Sequence, residues 1–240
     1  MFCLDDAGRV VPVGHPDPVS LEDLVGYERE RGLVLDNLRA LLAGKPAANM
    51  LLTGDAGTGK SSTVKAACSV LRDEGLRMIE VRRDQLRHIP ALLDALSENP
   101  LKFILFIDDL SLRADDDSFG ALKAVLEGSV SARSGNVILC ATSNRRHIVK
   151  EKFSDREGDD VHRNDAMQET VSLSDRFGLR ITFQKPGKDE YLAIVRALAL
   201  RQGVDAPDLD GLAERFALLR GGRSPRIARQ FMDSLAAKGI

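Results

Sequence analysis

Met50-Leu51-Leu52-Thr53-Gly54-Asp55-Ala56-Gly57-Thr58-Gly59-Lys60-Ser61-Ser62-Thr63-Val64 is the stretch on which the reading of this chain turns. Its apolar opening predicts a strand, the residues after Lys60 favour a helix, and the pattern G-x-x-x-x-G-K-[ST] stands between them. Gly54, Gly57 and Gly59 permit positive φ and let a bound group approach the backbone. A helix opening at about Gly59 points its unpaired N–H groups and positive dipole end at the same place. The result is a cradle for the phosphates of a nucleotide, formed by Gly54, Asp55, Ala56, Gly57, Thr58, Gly59, Lys60, Ser61 and Ser62. Lys60 is spaced to reach β- and γ-phosphates, and the Ser61 hydroxyl to ligate Mg²⁺. A glycine-rich turn that binds nothing is the alternative, and it rarely carries the whole pattern with both flanks.

A second run, Lys102-Phe103-Ile104-Leu105-Phe106-Ile107, is apolar without alternation, as in a parallel strand covered on both faces. It ends in Asp108-Asp109. Carboxylates at that end of a central strand face the ligand crevice of an open α/β sheet. Asp108 is therefore assigned to the metal, and Asp109 to orienting or deprotonating an attacking water. A turn or helix-capping acid is the alternative for each. A third run, Val137-Ile138-Leu139-Cys140-Ala141-Thr142, ends in Ser143-Asn144. The Asn144 amide is placed to bond the γ-phosphate or the lytic water, or else it forms a turn.

Composition sets outer bounds. The chain has 240 residues, 43% hydrophobic and 29% charged, with a net charge of −2 and a pI near 6.1. No global basic field marks it for nucleic acid. Cys3, Cys68 and Cys140 are scattered, with no zinc spacing, which fits reduced thiols in the cytoplasm. No apolar run approaches the ~18 residues of a membrane span.

Outward from the centre, residues 1–19 read as a small hairpin extension, and a helix runs to about residue 43. Asp115 to Asp117 are placed to cap a helix over about 118–130. Residues 150–171 are strongly charged, and there a solvated loop is the simplest reading. His147 and His162 have no metal-ligand spacing. After Pro186-Gly187 only helical patterns remain, over about 189–202, 208–219 and 225–237. A domain boundary falls near Lys185, giving a core over 20–185 and a helical unit over 186–240.

Together these motifs resemble an AAA+ ATPase from about Leu21 to Lys238. The resemblance implies a P-loop NTPase αβα sandwich with a five-stranded parallel sheet and a small C-terminal helical lid. It makes Val25, Gly26 and Tyr27 the adenine side of the site, Asn144 the sensor 1 residue and Arg226 the sensor 2 arginine. Arg176, in Ser174-Asp175-Arg176-Phe177, would be the arginine finger given to a neighbouring subunit, with Arg145 or Arg146 as rivals. A planar guanidinium suits phosphate, although Arg176 could instead pair with Asp175. Pro16-Asp17-Pro18-Val19, 141–147 and 174–178 are similar to a bacterial AAA+ family known only as a domain of unknown function. Asp109 departs from the more usual glutamate, and the loop before Arg176 is longer than in many relatives.

The implied activity is Mg²⁺-dependent ATP hydrolysis in a homo-oligomer acting on a protein or nucleic-acid partner, with ATP/ADP and Mg²⁺ as ligands and Lys60, Asp109, Asn144, Arg176 and Arg226 as catalytic residues. A nucleotide-gated switch with little turnover is the alternative. A small-molecule kinase is disfavoured by the paired acids and the helical C-terminal part. A GTPase is disfavoured because no N-K-x-D pattern occurs.

Overall fold

A computed structural model describes residues 1–16, 19–110, 117–127, 135–144 and 173–237. The chain opens with β1 (Phe2–Leu4) and β2 (Val10–Pro12), an antiparallel hairpin. The apolar runs become β3 (Met50–Gly54), β4 (Leu76–Glu80), β5 (Lys102–Ile107), β6 (Val137–Ser143) and β7 (Leu179–Phe183). These five are parallel, in the order β4-β5-β6-β3-β7.

The expected five-stranded sheet is thus present, but it is extended to seven strands. β1 pairs in parallel with β4, Phe2 opposite Ile79, and the hairpin becomes the sheet's edge. Bare edge N–H and C=O groups on β4 need partners, and the hairpin supplies them. Buried Gln85, in a tight helical turn over Arg83–His88, donates to the carbonyls of Leu4 and Asp5 at 3.1 and 3.0 Å. Its Oε1 accepts from the Arg82 amide at 3.1 Å.

Alternation along the strands sorts the core into two layers. Leu51, Ile79, Leu105 and Leu139 face α3 (Ile89–Leu96) and α4 (Asp117–Glu127). Their neighbours Met50, Leu52, Met78, Ile104, Phe106 and Ile138 face α1 (Glu28–Leu42) and α2 (Lys60–Val70). Every second residue is apolar on each side, so the central runs read as continuous.

The C-terminal helices are α5 (Lys188–Gln202), α6 (Leu209–Leu219) and α7 (Pro225–Ala236). They enclose a separate core that includes Tyr191, Val195, Ala213, Phe231 and Met232. Ser224 caps α7, accepting from the Ile227 amide at 3.2 Å, and Pro225 occupies the first turn.

Arginines from three helices grip the segment before α1. Arg31 on α1 donates to the carbonyls of Leu21 and Leu24, Arg201 on α5 to Glu22, and Arg229 on α7 to Asp23. Among the described residues no helix is long and apolar enough to cross a membrane. Asp115, Asp116, Arg145, Arg146, His147 and residues 150–171 with His162 lie outside the described residues.

Gln85→Ala would strip two carbonyls and one amide of their partners at a buried site. The expected loss is about 1–3 kcal/mol, read as a lower denaturant midpoint.

Candidate functional site

The cleft between the sheet's carboxyl end and α7 encloses about 440 Å³, within the usual range for small-ligand pockets. Its floor is the loop between β3 and α2. Gly54, Gly57 and Gly59 all adopt positive φ, at 137°, 81° and 96°. A Cβ at Gly54 would collide with the Phe183 carbonyl oxygen, and one at Gly57 would press on Arg226 and Ser224 at 3.1 Å. Gly54 and Gly57 are thus required twice, for conformation and for close approach.

Lys60 is 5% exposed. Its ammonium donates to the carbonyls of Gly54 and Asp55, both at 2.8 Å, and to Asn144 Oδ1 at 3.0 Å. Burial lowers its pKa, while Asp109, Asp55 and Asp108 oppose that shift. The surrounding oxygens favour the charged form. The Thr58 hydroxyl ties the loop to itself, donating to the Asp55 carbonyl at 2.8 Å.

Opposite the lysine, Ser61 Oγ donates to Asp108 Oδ1 at 2.6 Å, leaving the serine oxygen's lone pairs for a cation. A hydroxyl and a carboxylate are the hard donors Mg²⁺ takes when phosphates and waters complete its shell. The donor set therefore fits the ion. Asp109 follows in the left-handed region at φ 50°, and its Oδ1 accepts from Asn144 Nδ2 at 2.8 Å. One amide thus joins Lys60 to Asp109, accepting from the first and donating to the second.

Val25, Gly26 and Tyr27 line the far end of the cleft with Ile194 and Leu198 of α5. Gly26 and Tyr27 have φ of 81° and 60°. The Tyr27 ring packs on Phe183 with centroids 5.1 Å apart, and its hydroxyl donates to the Gln184 carbonyl at 2.6 Å. Burial raises the phenol's pKa, with Glu190, Glu30 and Asp55 adding to the effect, so the donor keeps its proton.

The sequence-assigned residues Ala56, Gly57, Thr58, Gly59, Ser61 and Ser62 also line the cleft, with Asp108, Asp109, Asn144 and Arg226. The Arg226 amide donates to the Gly57 carbonyl at 3.2 Å, which docks α7 on the loop. Gly54 and Asp55 join through their carbonyls to Lys60. Arg176 lies elsewhere, exposed in the turn before β7, and neighbouring Asp175 pairs with Arg180 at 2.9 Å. The arginines around Arg226 are engaged one by one: Arg223 with Glu214, Arg220 over the Phe216 ring, Arg229 with Asp23.

Sequence reasoning passed over Thr142, Arg229, Gln230 and Asp233, all on the cleft wall. The signals were present. Positions 226, 229, 230 and 233 share one helical face, and Thr142 shares a strand face with Asn144.

A central β3 followed by the phosphate loop, the strand order and the C-terminal helices define a P-loop protein of AAA+ fold. The family model described as "Protein of unknown function (DUF815)" matches residues 2–239, and the chain belongs to that family. No curated protein matches the sequence. Among solved structures, Aeropyrum pernix Orc1 in complex with DNA is similar at TM-score 0.59 and 18% identity, with 89% of this chain and 59% of that one covered. A point mutant of Thermotoga maritima RuvB gives 0.59 and 20%, covering 93% and 67%. AMPPCP-bound DnaA from Aquifex aeolicus gives 0.58 and 17%, also covering 93% and 67%. The chain thus matches only 59% of the Orc1 chain's length and 67% of each of the other two.

Gly54→Ala should break the β3–β7 pairing at the loop, because both φ and the Phe183 carbonyl exclude a side chain. Stability should fall by more than about 2 kcal/mol, read by thermal or chemical unfolding.

Proposed function

We propose that this chain binds ATP with Mg²⁺ in the cleft and hydrolyses it, coupling turnover to movement of a C-terminal helical lid. The observation that carries the proposal is the pair of contacts either side of the loop. Lys60 is held beneath it, and Ser61 is bonded to Asp108 at 2.6 Å beside it. The N–H groups at the start of α2 receive the phosphates, and Lys60 exchanges its carbonyl acceptors for phosphate oxygens. Ser61 and Asp108 hold the metal, which when bound neutralises charge on the β- and γ-phosphates. Asp109 orients the attacking water, and Asn144 holds that carboxylate in place. Arg226 brings a guanidinium from α7 over the same phosphates, where negative charge grows in the transition state. Val25, Gly26 and Tyr27 take the adenine end.

On this reading the core spans 20–185, the lid 186–240 and the hairpin 1–19, and the protein works in the cytoplasm. Arg176 serves a neighbouring subunit's nucleotide in a homo-oligomer, which its exposed position in the turn before β7 supports. The partner acted upon is a protein or a nucleic acid. A second reading, an occupancy-driven switch with little turnover, is favoured by the short reach of Asp109 and the bond that ties it to Asn144.

Lys60→Ala should weaken ATP binding by about 100-fold or more in calorimetric titration. Asp109→Asn should keep that affinity and lower turnover by about 10²–10⁴-fold. Unchanged turnover would move the water-orienting role to another residue. Arg176→Ala should slow hydrolysis only at protein concentrations where the wild type assembles, measured alongside its mass in solution.

A further inference from the structure

The turn that carries Asp108 and Asp109 is fastened from outside by Thr142, near the end of β6. Its side chain is 1% exposed and makes two bonds. The hydroxyl donates to Asp108 Oδ1 at 2.6 Å and accepts from the Asp109 amide at 3.0 Å. The Thr142 carbonyl accepts from the Leu110 amide at 2.7 Å. One residue therefore holds three consecutive positions of the turn.

These bonds answer a specific conformational need. Asp109 sits at φ 50°, a region that costs a side-chain-bearing residue unless its surroundings fix it. Its amide is shared between Asp108 Oδ1 at 3.1 Å and Thr142 Oγ1. Asp108 Oδ1 in turn takes hydrogens from Ser61, Thr142 and Asp109, which locks the carboxylate's rotation. Two residues beyond Thr142, just past the end of β6, Asn144 catches the Asp109 side chain. The strand end thus sets both acids, one by each polar side chain.

We infer that Thr142 is a positioning residue that fixes the Asp108 carboxylate for the divalent cation and the Asp109 backbone for its role toward water. The inference rests on the reading of the cleft as a Mg²⁺–ATP site. Serine retains the hydroxyl, and valine matches the shape without it.

The test measures ATP affinity with Mg²⁺ and with EDTA for the wild type, Thr142→Val and Thr142→Ser. Thr142→Val should lose about 10–100-fold of the Mg²⁺-dependent affinity while binding in EDTA stays unchanged. Thr142→Ser should restore it, and kcat should fall in the valine variant more than KM changes. Circular dichroism checks that the fold persists, and if valine prevents folding, Thr142→Ala against Thr142→Ser gives the same comparison. Full Mg²⁺ dependence in a folded variant without the hydroxyl would overturn the role of Thr142. A wild type that binds ATP equally well with and without Mg²⁺ would instead overturn the metal reading itself.

Discussion

A buried ammonium needs oxygen on every side, and Lys60 has it. The carbonyls of Gly54 and Asp55 and the Asn144 amide occupy its three donors. Two acceptors belong to the loop, and the third arrives from the end of β6, two strand ends meeting on one cation. This contact joins the loop's conformation to the alignment of neighbouring strands. The register that places Thr53 opposite Ser143 sets where Asn144 emerges relative to Lys60. Loss of that register would leave the charge partly unpaired in a site that is 5% exposed, at a cost far above that of a surface ion pair.

The same logic extends across the sheet's carboxyl edge. β5 delivers Asp108 and Asp109, and β6 delivers Thr142 and Asn144. Between them runs a network in which each polar group has a partner: Ser61 and Thr142 on Asp108, Asn144 on Asp109, Lys60 on Asn144. A connected network of this kind rigidifies, since moving one member strands the next. It also separates tasks. Ser61 keeps its lone pairs toward the cleft while its proton goes to the acid, so the hydroxyl is available to a cation without rearranging.

The parallel core was legible because β5 and β6 are apolar along nearly their whole length, and the glycine-rich turn from β3 into α2 because its glycines and lysine are contiguous. One rule, that ligands gather where central strands end, placed Asp108, Asp109 and Asn144 at the cleft they line. What escaped needed pairing information. The hairpin's union with β4 depends on Gln85, more than eighty residues away and unremarkable in sequence. Thr142 counted as the last residue of an apolar run, yet its neighbours on β5 make it polar in function. Arg229 carries no sign in the sequence of its partner, the carbonyl of Asp23, 206 residues upstream. Gln230 and Asp233, on the cleft face of α7, follow from Arg226 by helical spacing alone, a step the charge pattern concealed.

The segment holding Val25, Gly26 and Tyr27 takes its position from both the sheet and the bundle, Tyr27 packing on one core and Val25 on the other. Carbonyls of Leu21, Glu22, Asp23 and Leu24 bond to guanidinium groups from α1, α5 and α7. Two of those helices belong to the C-terminal bundle, whose core is distinct from the two layers around the sheet. Any rotation of the bundle must therefore either carry this segment along or break bonds to Glu22 and Asp23. Tyr27 meets the opposite constraint, because its ring is seated on Phe183 of β7 and its hydroxyl on Gln184. The far end of the cleft is thus anchored to the sheet at Tyr27 and to the bundle at residues 22 and 23. Gly26, at φ 81°, lies between those anchors, where the chain makes a left-handed turn that a glycine adopts without strain.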